Sequence, residues 1–139
     1  MGNPFSLEGR VALVTGASGG LGQGMAIALA QAGADVAVVG VSPATATGEQ
    51  VRALGRRFLA IEANLGSTAP IAGVVAQVLD GLGGLGGLDI LVNNAGIIRR
   101  ADALDFSEED WDAVMDVNLK SAFFMCQAAG RHMVAAGRG

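Results

Sequence analysis

The chain has 139 residues, 51% of them hydrophobic, and a formal net charge of −4. That length accommodates one domain with a real core. The acidic balance, without any basic block, argues against a nucleic-acid partner, and no apolar run approaches the ~20 residues of a membrane span. Cys126 is the only cysteine and His132 the only histidine, so no intrachain disulfide is possible and nothing supports a cysteine-based metal site. The chain has no tyrosine, and its single lysine is Lys120.

Val11–Thr15 is a short run rich in valine and leucine, the pattern of a strand buried in a parallel sheet. It stops at Gly16-Ala17-Ser18-Gly19-Gly20-Leu21-Gly22, and a helical pattern opens directly behind. Gly16 can take a backbone conformation closed to residues with a Cβ, which allows a tight turn out of the strand. Gly20 places no side chain between the backbone and a ligand, and Gly22 lets the helix lie close on the strand. A helix start leaves unpaired N–H groups and a partial positive charge, both suited to a pyrophosphate. Strand, glycine turn and helix in that order favour a dinucleotide site over a purely structural turn.

The first helix is expected over 21–32, with Met25, Ala26, Leu29 and Ala30 as its apolar stripe and Gly33 as its stop. A second apolar strand over 36–41 completes a βαβ unit, which should be parallel. Dinucleotide folds place an acidic residue near the end of this strand to hold the adenosine ribose hydroxyls. Here stand Gly40-Val41-Ser42, neither a carboxylate for NAD nor an arginine for the NADP phosphate. Ser42 offers one hydrogen bond to either. A helix over 46–54 stopped by Gly55, and a strand over 57–63 running into Asn64-Leu65, come next. The helix over 70–82 should bury Ile71, Val74, Val75, Val78 and Leu79.

The glycine-rich run 81–87 has no strand before it and no helix behind, so it reads as a linker, not a second phosphate loop. A fourth strand over 88–92 leads into Asn93-Asn94-Ala95-Gly96. Ser107 caps a helix whose first turn carries Glu108, Glu109 and Asp110, which suits the helix dipole. Trp111, Val114 and Met115 follow at helical spacing and read as core. Residues 116–120 lead into a long apolar helix over Ser121–Ala136.

The spacing Thr-Gly-x-x-x-Gly-x-Gly at 15–22 is one residue wider than G-x-G-x-x-G. With Asn93-Asn94-Ala95-Gly96 and Asn118, it resembles the short-chain dehydrogenase/reductase family over 7–139. The resemblance implies an α/β fold, a Rossmann-type doubly wound parallel sheet with strand order 3-2-1-4. It also implies NAD or NADP as cofactor, NAD being slightly favoured. The cofactor would be held by Gly16, Ser18, Gly20, Leu21, Gly22, Ser42, Asn64, Leu65, Asn94, Ala95 and Gly96. In the family an Asp commonly stands where this chain has Asn64 and contacts the adenine amino group; Asn64 can accept that bond without the charge. The asparagine matched by Asn118 interrupts a helix, and its main chain holds a water in a proton relay.

Within the family, Gly96-Ile97-Ile98-Arg99-Arg100, Phe106-Ser107-Glu108 and Phe123-Phe124-Met125 look most like the 2-deoxy-D-gluconate 3-dehydrogenases, which implies a hydroxyl/ketone pair on a sugar acid. Arg99 and Arg100 follow the fourth strand, at the end where ligands bind in open α/β sheets. Guanidinium forks there suit a substrate carboxylate; two solvated loop arginines are the competing reading. A 3-oxoacyl reductase and a non-catalytic nucleotide-binding module remain alternatives.

The family's catalytic Ser and Tyr-x-x-x-Lys lie on a fifth strand and the following helix. This chain has no tyrosine, and Lys120 does not match the catalytic lysine. The expectation is a partial dinucleotide-binding domain over 1–139, ending before the fifth strand and inactive alone. Its fourth strand would be an exposed edge. Its last helix, with Ala122, Phe123, Met125, Cys126 and Ala129, would bury only part of its surface. The longer enzyme would be a cytoplasmic homo-oligomer with no metal and no membrane or nucleic-acid partner. The first residues carry no secretory signal. Met1-Gly2 with Ser6 matches a myristoylation pattern only superficially, given Pro4 and no nearby basic patch.

Overall fold

A computed structural model describes residues 2–84 and 87–139. Met1 of the myristoylation pattern, and Leu85 and Gly86 of the glycine-rich run, lie outside the described residues. The strands are β1 (Val11–Thr15), β2 (Asp35–Gly40), β3 (Phe58–Glu62) and β4 (Ile90–Val92). They form one parallel sheet in the order β3-β2-β1-β4. The helices are α1 (Gly20–Gln31), α2 (Thr45–Ala53), α3 (Ile71–Leu82), α4 (Glu108–Met115) and α5 (Ser121–Ala136), with a π-helical turn over Asp116–Lys120 joining the last two.

Alternation along the strands builds two cores, one on each face of the sheet. Val11 and Leu13 of β1 and Ala37 and Val39 of β2 face α3 and α5, where Val74, Val78, Met125 and Ala129 close over them. Val14, Val36 and Val38 point the other way, onto Ala26 and Ala30 of α1 and Val51 of α2. Every β1 residue is buried, so no polar face is needed and none is present.

The stripe of α1 is narrower than its sequence suggests. Gly22, Ala26 and Ala30 are buried and Leu29 is half-buried, but Met25 is 40% exposed. Small residues at four-residue spacing bring the helix axis close to the sheet, and the broad side of the expected stripe then falls outside the contact. On α3 the buried face is Ile71, Val74, Val75, Val78 and Leu82, with Leu79 only partly covered. Gly81 belongs to the last turn of this helix and Gly83 caps it, so the linker begins two residues later than expected.

The largest departure is α4. None of its residues is buried, and Trp111 is 59% exposed. Val114 and Met115 are half-buried, so helical spacing located an apolar face that the described residues cover only in part. The Ser107 cap holds: its Oγ accepts the Asp110 N–H at 3.1 Å.

At the amino end of the sheet, Asp89 is buried and fully engaged. Its carboxylate accepts the Val11 N–H (2.9 Å) and pairs with Arg10 (3.2 Å) and Arg138 (2.9 Å). This locks the start of β1 to the residue preceding β4. Nearby, the His132 Nε2 accepts the Leu88 N–H at 3.2 Å, tying α5 to the same segment. β4 pairs with β1 alone among the described strands, and its three residues are half-buried.

Two glycines of α1 should respond oppositely to alanine. A Cβ at Gly22 would collide with Asn94 Nδ2 and the Gly16 carbonyl, whereas one at Gly24 meets nothing within 4 Å. Gly24→Ala should therefore raise unfolding free energy by roughly 0.5–1 kcal/mol through helix propensity, and Gly22→Ala should lower it by roughly 1–3 kcal/mol through overpacking. Urea denaturation followed by far-UV circular dichroism measures both.

Candidate dinucleotide-binding site

At the carboxyl end of β1 the chain turns out of the sheet at Gly16, whose N–H extends the ladder to the Val39 carbonyl at 2.8 Å. Gly16 has φ +66°, and a Cβ there would stand 2.9 Å from the Ala95 Cα, so conformation and space both demand glycine. Gly19 is fully extended and precedes α1 without any side-chain cap. The first helical amide to find a carbonyl is that of Gln23, on Gly19 at 3.1 Å. The amides ahead of it form an uncapped positive end. A Cβ built on Gly20 meets nothing within 4 Å, so the approach to those amides is open. These residues fit a diphosphate.

The turn is held from two sides. Asn94 and Ala95 both donate their backbone N–H to Thr15 Oγ1, at 3.0 and 2.8 Å. The Asn94 side-chain amide donates to the carbonyls of Thr15 and Gly16, each at 3.0 Å. From the other side, the fully buried Thr47 hydroxyl donates to the Ala17 carbonyl at 2.7 Å and accepts from Gln23 Nε2 at 3.0 Å. Thr15 opens the motif at 15–22, but nothing in the spacing marks its hydroxyl as the acceptor for the exit of β4. Thr47 was not legible as a site residue, since it sits among small residues of α2 with no local pattern to mark it.

Two clefts flank the end of β2. One, of about 220 Å³, is lined by Ala17, Ser18, Gly40, Ser42, Ala44 and Glu62 among others. The second, of about 250 Å³, is lined by Gly16, Val41, Asn64, Leu65, Ala95 and Gly96 among others. The structure thus gathers the glycine turn, Ser42, the Asn64-Leu65 pair and Asn94-Ala95-Gly96 along one edge of the sheet. Leu65 is buried, while Ser42 and Asn64 are exposed. Asn64 Oδ1 already accepts the Gly66 N–H at 2.8 Å, leaving one lone pair for a further donor.

Asn118 lies within the π-helical turn between α4 and α5. Its side chain is spent on the backbone of Ile97: Oδ1 accepts the N–H at 2.8 Å and Nδ2 donates to the carbonyl at 2.9 Å. Arg99 is drawn back toward α4, its Nε 3.3 Å from Asp110 and its Nη1 bonded to the Ile98 carbonyl at 3.1 Å. Arg100 is exposed and makes no side-chain bond among the described residues. Arg99 also borders a pocket of about 350 Å³ between the segment after β4 and α4, lined by Ile97, Phe106, Trp111, Met115 and Asn118 among others.

Residues 10–139 match the family model for short chain dehydrogenases. The chain is 56% identical over 135 residues to a 2-dehydro-3-deoxy-D-gluconate 5-dehydrogenase of Escherichia coli strain K12, covering 97% of this chain and 52% of that protein. It is 41% identical over 142 residues to a gluconate 5-dehydrogenase of Gluconobacter oxydans strain 621H, again covering 97% and 52%. A crystal structure from Agrobacterium tumefaciens, of a protein provisionally named 2-deoxy-D-gluconate 3-dehydrogenase and holding bound NADP, superposes with a TM-score of 0.87 at 46% identity. It covers 99% of this chain and 53% of that one. This chain therefore spans about half the length of the relatives it matches. The glycine turn, the strand order and these matches together establish that the chain belongs to the short-chain dehydrogenase family.

Proposed function

We propose that these residues form the cofactor-binding half of an NAD(P)-dependent oxidoreductase acting on a hydroxyl/ketone pair of a sugar acid. The observation that carries this reading is the uncapped start of α1, opened by Gly16 and Gly20 between two clefts at the carboxyl edge of the sheet. The amides of 18–22 would hold the diphosphate. Ser18 and Ser42 would meet the adenosine ribose, Asn64 and Leu65 the adenine, and Asn94, Ala95 and Gly96 would support the middle of the cofactor. Among the described residues no cation lines the cleft beside Ser42, which favours NAD over NADP. When bound, the nicotinamide would supply hydride transfer.

The sugar-acid assignment draws on the names of the relatives and on Arg99 and Arg100, which follow β4 at the ligand-binding edge. Arg100 is the freer of the two for a carboxylate, because Arg99 is partly neutralised by Asp110. Asn118 would serve a proton relay through its main chain, since its side chain is already committed to Ile97. The π-turn there shifts the backbone hydrogen-bond register, which suits a carbonyl diverted to a water. The exposed Phe123 and half-buried Phe124 of α5 would meet a second subunit in a cytoplasmic homo-oligomer.

The family's proton donor is a tyrosine, and these residues contain none. This favours a second reading for the 139-residue chain taken alone, a nucleotide-binding module without chemistry. The chain should give saturable quenching of Trp111 or enhancement of NADH fluorescence and no turnover of any ketone; a flat titration would sink the binding reading. Gly19→Asp should separate binding from folding. An aspartate cap stabilises α1 by a few tenths of a kcal/mol, while its charge should weaken ADP and NADH by roughly tenfold or more. Affinity and stability should move in opposite directions, and parallel changes would contradict the site. In a longer enzyme carrying these residues, replacing Arg99 and Arg100 by alanine should raise KM for a sugar acid roughly tenfold with a smaller effect on kcat. An unchanged KM would remove the carboxylate argument.

A further inference from the structure

We infer that Glu62, at the end of β3, is the residue by which this chain rejects a 2′-phosphate on the adenosine ribose and so selects NAD over NADP. The inference rests on the dinucleotide reading above and adds to it the charge that the end of β2 lacks. Gly40-Val41-Ser42 carry no carboxylate, yet the cleft beside them is not neutral.

β3 is paired in parallel with β2, in a register that places Glu62 against Gly40. Successive strand residues point to opposite faces. Ile61 enters the core beneath α3, so Glu62 shares with Phe58 and Ala60 the face toward α2. That face carries Ala17 and Ala44, and these line with Ser18, Ser42, Pro43 and Glu62 one cleft of about 220 Å³. Glu62 is the only charged residue among those lining it. Among the described residues, no ion pair or side-chain hydrogen bond engages its carboxylate.

The nearest arginines in sequence are turned away. Arg57, at the opposite end of β3, is bonded to Asp35 at 2.8 Å and to the Leu82 carbonyl at 2.8 Å. Arg52 stacks over the Phe58 ring, 5.1 Å from its centroid. A diphosphate on the amides of α1 sets its ribose over the end of β2, between Ser18 and Ser42. A free 2′-hydroxyl there can donate to a carboxylate. A 2′-phosphate in the same place brings roughly two negative charges against Glu62, with no cation to offset them. Rejection by an unpaired like charge is a common way to build selectivity between ligands that share every other contact.

The test uses the 139-residue chain and two probes that differ only in the 2′-phosphate, NADH and NADPH, titrated by calorimetry. The wild-type chain should bind NADH more tightly. Glu62→Gln keeps the shape of an exposed side chain and should shift the affinity ratio toward NADPH by about tenfold. Glu49→Gln removes the same charge from the exposed face of α2, outside the cleft, and should leave the ratio unchanged. If NADPH binds the wild type as well as NADH, or if Glu62→Gln leaves the ratio where it was, the role of Glu62 is overturned while the nucleotide site stands. An equal shift in Glu49→Gln would overturn it too, by reducing the effect to net charge. If neither probe binds, the nucleotide site falls and the inference falls with it.

Discussion

The structure depends on the junction where the ends of β1 and β4 are tied together. Thr15 offers one hydroxyl to two backbone amides, and Asn94 returns its side-chain amide to two carbonyls. Buried donors left without acceptors cost about 1–3 kcal/mol each, so this exchange satisfies groups that the glycine turn would otherwise strand. It also fixes the gap through which Gly16 passes beside Ala95. Everything that follows, from the aim of the α1 amides to the depth of the second cleft, takes its position from that knot.

The two ends of the sheet are finished differently. At the amino end Asp89 consumes the Val11 amide and two arginine charges, closing the edge with polar groups that are all engaged. Breaking such a buried pair is costly because the remaining charge is left uncompensated. At the carboxyl end, by contrast, the amides at the start of α1 are left open and two clefts flank the end of β2. A parallel sheet presents all its strand ends to one side, so a site assembled there can draw on every loop at once.

The segment beyond β4 is organised by another reciprocal bond, between the Asn118 amide and the backbone of Ile97. It pins a π-helical turn against an extended strand exit, which α-helical hydrogen bonding alone would not do. The same bond sets the entrance of the pocket near Arg99, Phe106 and Trp111. The exposed Trp111 of α4 borders this pocket, so part of the apolar surface left uncovered in the fold lies next to the proposed substrate side.

The sequence by itself determined the architecture. Short apolar strands alternate with helices in the order that a right-handed parallel sheet accommodates, and each glycine that ends an element does so for a local steric reason. It likewise marked Gly16, Gly22, Asn94 and Asn118, because backbone conformation and motif spacing are properties of neighbouring residues. Tertiary structure decided what spacing cannot carry. It exposed Met25 and Trp111, since helical period locates an apolar face but not whether anything covers it. It recruited Thr15 and Thr47, whose hydroxyls matter through partners distant in the chain. It turned Arg99 toward Asp110 and set Glu62 in one cleft with Ser42, because charge acts through distance in space, which the order of residues along the chain does not fix.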